Sequence, residues 1–152
     1  QTPFMKTYFY IVLVALFISC SGDDDINYDA KNEADIVKYI ADNNLTATKS
    51  SSGLHYVVNN EGSGARPTTT SDVTVTYKGY FLDGTTFDEN TTGIQFNLQQ
   101  VIKGWTEGIT YFKEGGNGIL LIPAHLGYGS FDSNGIVGGS VLVFDVNLIS
   151  VD

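Results

Sequence analysis

The segment VIKGWTEGI, Val101 to Ile109, is the one stretch of helical character inside a long region that alternates between apolar and polar residues. It contains the only tryptophan of the chain, Trp105, between Gly104 and Gly108. Glycine inside a helix costs about 1 kcal/mol relative to alanine, so glycines beside a large ring indicate close packing or a tight turn. The segment therefore predicts a short helix that packs closely against its surroundings.

The residues on both sides of this segment follow the period of two that is typical of β-strands. In DVTVTYKGYFL, for example, Val73, Val75 and Tyr77 point to one side and the threonines to the other. Several antiparallel strands around one short helix predict an α+β domain, residues 46–152, whose curved antiparallel sheet wraps around that helix. We expect a loop at 46–53, strands at 54–60, 72–82, 94–98, 117–123 and 140–151, a turn at Asp83-Gly84 and helical residues within 101–112.

A second helix is predicted before this domain, over residues 32–45, with Asn32 near its start. Ile36, Val37 and Ile40 recur at helical spacing and make it amphipathic. Because an isolated helix of this length is marginal in water, its apolar stripe is expected to dock on the main domain or on a second copy of the chain.

The first residues have the pattern of a signal peptide. Residues 1–4 precede Met5 and are expected to belong to an upstream extension, and the apolar run from Tyr8 is shorter than the roughly 20 residues that span a bilayer. Residues 1–19 are therefore predicted to be a signal peptide. The sequence FISC, which ends at Cys20, resembles the lipobox of bacterial lipoproteins, although Phe17 stands where Leu is usual.

The lipobox resemblance implies that Cys20 is lipidated and holds the protein on a membrane, with the polar residues 20–31 as an acidic tether. The expected location is the bacterial cell envelope, as an outer-membrane lipoprotein that faces the periplasm or the cell surface. The alternative is a signal peptide that ends in cysteine by coincidence.

Charge and composition exclude several classes of function. The formal net charge is −9 and only 8 residues are Lys or Arg, which argues against nucleic acid as a partner. His55 and His125 have no cysteine or carboxylate at ligand spacing, so we expect surface or half-buried strand residues and no metal site. The acidic run from Asp23 lacks the Gly and Glu of a calcium loop. We expect no cofactor.

Four motifs, taken in order, carry a resemblance to a known family. They are VTYKGYFLDGTTFD (75–88), VIKGWTEGI (101–109), IPAHLGYG (122–129) and LVFDVNL (142–148). On composition alone their aromatic residues could be ordinary core residues. Their order and gaps, however, strongly resemble those of the FKBP-type peptidyl-prolyl cis/trans isomerases, over about residues 53–151.

The resemblance implies a pocket in which Trp105 forms the floor under a bound proline ring. It also implies that the Ile102 N–H and the Tyr128 hydroxyl hold carbonyls of the bound peptide, while Asp88 is a positioning residue at the rim. The residues expected to carry catalysis are Tyr77, Phe87, Asp88, Trp105 and Tyr128, and those expected to bind substrate are Phe96, Val101, Ile102, Ile136 and Phe144.

The function implied is isomerisation of X-Pro bonds in envelope or secreted proteins, together with binding of macrolides such as tacrolimus. One alternative is a peptide-binding chaperone module with incidental catalysis, and another is a surface lipoprotein that contacts host proteins or glycans. Val137-Gly138 replaces the Pro-Pro that is usual in the family and Gly139 follows, so the flap over residues 130–139 is expected to be more mobile.

Overall fold

The computed structural model describes residues 26–152, which form one six-stranded antiparallel sheet with helices on both faces. The strand order is β1-β2-β5-β6-β3-β4. The elements are α1 (Tyr28–Asp42), β1 (Thr48–Lys49), β2 (His55–Asn60), β3 (Asp72–Tyr80), β4 (Thr86–Asn97), α2 (Lys103–Gly108), β5 (Asn117–Ile122) and β6 (Leu142–Val151), with 3-10 turns at Ile109–Tyr111 and Ala124–Leu126. The predicted α+β fold is confirmed.

Strand β3 is central to the site because it pairs with β4 on one side and with β6 on the other. Val73 and Val75 are fully buried, as the alternation predicted. The β3–β4 connection turns at Asp83-Gly84, where Gly84 has a φ of 89° and the Asp83 carboxylate accepts the Thr85 N–H at 2.9 Å. Strand β4 is longer than the predicted strand at 94–98. The prediction missed its first half because those residues are polar and lack apolar alternation.

Helix α2 packs against the sheet as closely as its glycines predicted. A Cβ on Gly104 would lie 2.6 Å from Ile122 Cγ2, and one on Gly108 would lie 2.7 Å from Leu120 Cδ1. Any larger residue would push the helix off strand β5. The close approach seats Trp105, which is 4% exposed, within the main hydrophobic core.

Helix α1 covers the other face of the sheet. The fully buried Ile36 packs against Leu121, Val141 and Val143, so the helix docks on its own domain. The predicted bounds are corrected, since the helix begins four residues earlier and ends at Asp42. Its N-cap is Asn27, whose side chain accepts the Ala30 N–H at 3.1 Å, and the last four residues of the predicted tether are therefore helical.

Each histidine differs from the prediction of a surface or half-buried strand residue in one respect, His55 in its burial and His125 in its secondary structure. His55 lies on β2 but is only 6% exposed, and its Nε2 is 3.1 Å from the Glu33 carboxylate of α1. His125 is in the Ala124–Leu126 turn and not in a strand, with Nδ1 3.1 Å from the Asp29 carboxylate and Nε2 2.8 Å from the Ser52 carbonyl. The two histidines thus bind the acidic side chains of α1, a role that sequence spacing did not reveal.

The predicted signal peptide, Cys20 and the first part of the tether lie outside the described residues. Within residues 26–152, no helix has the length and apolar character needed to cross a membrane.

Candidate active site

Side chains from three strands, helix α2 and the loop after β5 converge on one open cavity of about 720 Å³. The structure brings all ten predicted pocket residues together around it. Tyr77 comes from β3, Phe87, Asp88 and Phe96 from β4, Val101, Ile102 and Trp105 from α2 and the residues before it, Tyr128 and Ile136 from the loop 123–141, and Phe144 from β6.

Trp105 lies among three other aromatic rings at the cavity. Tyr77, Phe96 and Phe144 stand nearly perpendicular to the indole, with ring centroids 5.1, 5.6 and 5.3 Å away. Perpendicular pairs of this kind are favourable, because the positive edge of one ring meets the negative face of another. The indole is therefore held rigidly.

The indole nitrogen is the one buried side-chain polar atom of the described residues that has no hydrogen-bond partner. An unpaired buried N–H costs free energy, and the three aromatic rings around the indole offer it no acceptor. The floor of the cavity thus offers an apolar ring an aromatic surface to pack on.

A tyrosine–carboxylate pair lies at the edge of the cavity. The Tyr77 hydroxyl donates to the Asp88 carboxylate at 2.7 Å. Burial raises the pKa of Tyr77 well above its usual value, and the hydrogen bond to Asp88 raises it further. Tyr77 therefore stays protonated at neutral pH and fixes the position of the Asp88 carboxylate.

Two donors at the cavity remain free for a ligand. Ile102 is the N-cap of α2, and within the part of the chain that the structure describes its N–H meets no acceptor. The Tyr128 side chain is 37% exposed, and its hydroxyl forms no hydrogen bond to residues 26–152. Both groups can donate to carbonyls of an extended peptide, because neither is committed to the fold.

The flap over the cavity is a bonded hairpin. Ser133 and Ile136 exchange N–H···O bonds of 3.0 and 2.8 Å around Asn134 and Gly135, which have φ values of 52° and 79°. Asn-Gly with two positive φ angles is the favoured short hairpin turn. Its glycine content predicted mobility but not this internal bonding.

Three further residues line the cavity that sequence reasoning did not name, namely Gln100, Asn134 and Gly135. The Asn-Gly pair is a turn signal that could have placed the tip of the flap over the pocket. Gln100 directly precedes Val101 and carries no signal of its own.

The geometry identifies no arrangement for metal or nucleophilic chemistry among the residues that line the cavity. Among residues 26–152, no three His, Cys, Asp or Glu side chains are placed to hold a metal ion. A rigid aromatic floor, a fixed carboxylate and two free donors define a class of protein that binds an apolar ring of a peptide together with its neighbouring carbonyls.

Comparison with known proteins agrees with this class. The family model described as FKBP-type peptidyl-prolyl cis-trans isomerase matches residues 64–149. The chain belongs to this family.

Individual relatives have similar names. The chain is 38% identical over 125 residues to the probable FKBP-type peptidyl-prolyl cis-trans isomerase FkpA of Neisseria meningitidis serogroup B. The match covers 80% of this chain and 45% of the relative. The chain is also 40% identical over 118 residues to the peptidyl-prolyl cis-trans isomerase Mip of Coxiella burnetii. This match covers 70% of this chain and 51% of the relative. The chain therefore spans about half the length of these relatives.

The fold is similar to that of solved structures. The crystal structure of FkpA from Escherichia coli matches with a TM-score of 0.73 and 40% identity, over 82% of this chain and 61% of that one.

Proposed function

We propose that this protein is a peptidyl-prolyl cis/trans isomerase that binds X-Pro segments in the cavity over Trp105. The observation that supports this most strongly is the convergence of all ten predicted pocket residues on one cavity, with the indole fixed by three perpendicular rings. Its substrates would be proline-containing polypeptides, and its role would be to assist the folding of envelope or secreted proteins.

The physics of the reaction suits such a site. Rotation about a peptide bond faces a barrier of about 18–20 kcal/mol, because resonance gives the C–N bond partial double-bond character. Twisting the bond removes this resonance and lowers the partial charge on the carbonyl oxygen. An aromatic cavity therefore binds the twisted amide better than the planar, well-solvated one, and this preference lowers the barrier without a nucleophile.

The polar groups at the cavity would hold the peptide in place. The free Ile102 N–H and the Tyr128 hydroxyl would each donate to a peptide carbonyl on either side of the proline. Such positioning matters because the ring must stay seated while the bond rotates. Asp88 would position the bound segment and would not act as a general base.

The test is an NMR line-shape or protease-coupled assay of cis/trans exchange in an X-Pro peptide, with and without tacrolimus. We expect acceleration that tacrolimus inhibits. Phe87→Ala should remove most of the activity, because Phe87 lines the cavity and packs edge-on against Phe144 at 5.4 Å. Phe131→Ala is the matched control, since Phe131 is 86% exposed and does not line the cavity. A folded protein that gave no acceleration would contradict the proposal.

The chaperone alternative is tested by the same pair of variants. Phe131 and Val137 are the most exposed large apolar residues of the flap, at 86% and 67%. If the protein acted mainly by holding peptides, Phe131→Ala would reduce suppression of aggregation of an unfolded protein, and Phe87→Ala would not. For isomerisation we expect the reverse: Phe87→Ala should reduce the activity and Phe131→Ala should not.

We also propose that Cys20 is lipidated and attaches the domain to a membrane of the bacterial cell envelope. The lipobox-like FISC sequence and the polar residues that follow it support this. Cys20→Ala should move the protein from the membrane fraction to the soluble fraction of cells, and intact-mass measurement should show the loss of acyl chains. Unchanged fractionation and mass would contradict the proposal.

A further inference from the structure

Four hydrogen bonds form a closed ring between helix α1 and the loop 123–141. Asn32 Nδ2 donates to the Gly139 carbonyl at 2.9 Å, and the Ala124 N–H donates to Asn32 Oδ1 at 2.7 Å. The Gly129 N–H donates to the Ala124 carbonyl at 2.8 Å, and the Gly139 N–H donates to the Gly129 carbonyl at 2.9 Å. Asn32 is the one member of the ring that comes from α1 and the only one that takes part through its side chain.

Asn32 is matched to this position. It is 1% exposed, and its amide donates on one side of the ring and accepts on the other. A carboxylate of the same shape can only accept, and an apolar side chain can do neither. Substitution would therefore leave a buried backbone group without its partner, which costs more than the net value of a normal hydrogen bond.

The ring encloses the base of the segment that frames the pocket. Tyr128 directly precedes Gly129, and Ile136 lies between Gly129 and Gly139, so both pocket residues belong to the stretch that the ring closes. Asn32 itself does not line the cavity.

The two consecutive glycines of the flap are both closely packed, and one of them, Gly139, lies against the same helix. Gly139 has a φ of 77°, and a Cβ there would lie 1.9 Å from Cε1 of Tyr28 in the first turn of α1. A Cβ on Gly138 would lie 2.2 Å from the Ser130 carbonyl oxygen. Directly after the two positions where the family usually has prolines, Gly139 thus packs closely against the Tyr28 ring of α1.

We propose that Asn32 is a positioning residue of the site: by closing the ring from α1, it holds Tyr128 and the flap over the pocket. Helix α1 thereby sets the substrate affinity of a cavity that Asn32 does not touch. This inference rests on the proposed isomerase function.

The experiment compares Asn32→Asp and Asn32→Leu with two controls in the full chain. Asn43→Asp makes the same chemical and charge change at the other end of α1, where Asn43 Nδ2 bonds the Tyr39 carbonyl at 2.9 Å. Val57→Ala removes buried volume on β2, away from the ring, and so measures the effect of lost stability alone.

At a temperature at which every variant is folded, both Asn32 variants should raise KM for an X-Pro peptide about three- to tenfold with little change in kcat. Amide hydrogen exchange at Gly129 and Gly139 should become faster in the same two variants. Both controls should keep the wild-type KM and the wild-type exchange at these two amides.

Unchanged KM in both Asn32 variants would overturn the inference, and so would an equal rise in Val57→Ala, which would make the effect one of stability. If the wild-type chain showed no isomerase activity, the proposed function would fail separately. Exchange at Gly139 would then decide whether Asn32 holds the flap, with faster exchange in Asn32→Asp supporting it and unchanged exchange refuting it.

Discussion

Two tyrosine–aspartate pairs on strand β3 allow the role of a single hydroxyl to be isolated. Tyr77 donates to Asp88 at 2.7 Å inside the cavity, and Tyr80 donates to Asp145 at 2.9 Å outside it. Burial raises the pKa of both tyrosines, and the hydrogen bond to the carboxylate raises each further. The two pairs have the same donor and acceptor groups; they differ in that only Tyr77 faces the cavity, while Tyr80 also lies beside Tyr39 of α1.

Tyr77→Phe should lower kcat/KM about tenfold, because the Asp88 carboxylate loses the donor that fixes it. Tyr80→Phe is the matched control and should leave kcat/KM unchanged. Both variants should lose about 1 kcal/mol of unfolding free energy in urea, the typical net value of one hydrogen bond. If kcat/KM fell equally in both, the effect on activity would reflect stability and not the position of Asp88.

At this scale the sequence predicted the residues of the pocket but not those that support it. Eight of the ten pocket residues lie in four motifs whose order is characteristic of the family, and the other two, Phe96 and Ile136, lie between these motifs. His55 and Asn32, in contrast, have partners far along the chain, in Glu33 of α1 and in the loop 123–141. No local pattern of apolar and polar residues encodes such contacts, so His55 was wrongly predicted to be at least half exposed.

The position of helix α2 against the sheet depends on Gly104 having no side chain. A Cβ on Gly104 would meet three atoms of the Ile122 side chain at 2.6 to 2.9 Å, so alanine requires the helix or Ile122 to move. We expect Gly104→Ala to destabilise the protein by about 1–3 kcal/mol, as overpacking does, despite the better helix propensity of alanine.

A second background tests the cause of this loss. In Ile122→Ala, which itself costs about 2–5 kcal/mol, the obstructing atoms are gone. Gly104→Ala should then stabilise the protein by up to about 1 kcal/mol, so its effect changes sign between the two backgrounds. Urea unfolding of all four proteins measures this cycle. The same loss in both backgrounds would show that Ile122 is not the cause.

The bounds of the elements were predicted least well where side chains rather than periodicity set them. Helix α1 begins at Tyr28 because Asn27 caps it, although the acidic and polar residues before Asn32 gave no apolar stripe. Strand β4 extends back to Thr86 because β3 pairs with it over most of its length, including the polar residues Glu89 and Asn90. A local cap at α1 and a tertiary partner at β4 thus decided what the apolar pattern left undetermined.

On the scale of the whole molecule, the sheet separates two hydrophobic clusters. One lies under α2 and includes Trp105, and the other lies under α1 and is centred on Ile36. The sequence predicted an amphipathic helix before the domain but left open whether it docks in its own chain. It docks there, and three polar residues of its inner face, Asp29, Asn32 and Glu33, bind the domain as well.

Partly buried tyrosines on both faces of the sheet make the stability of the whole molecule fall at alkaline pH. Burial raises the pKa of Tyr111 to about 12, and its hydrogen bond to the Glu107 carboxylate contributes as well. The pKa values of Tyr77 and Tyr80 are also raised above the ordinary value of 10.0. As pH rises above this value, tyrosines of the unfolded chain lose protons first, so the stability present below pH 10 is lost above it.

Tyr111→Phe tests this linkage, because phenylalanine keeps the ring that stacks on Tyr56 at 3.9 Å but cannot ionise. The urea midpoint of the wild type should fall steadily between pH 10 and 12, and that of Tyr111→Phe should start lower but fall less steeply. Lysine ion pairs weaken over the same range in both proteins, so they cancel in the comparison. Parallel curves for the two proteins would mean that Tyr111 ionises equally easily folded and unfolded, and that the Glu107 hydrogen bond does not hold its proton.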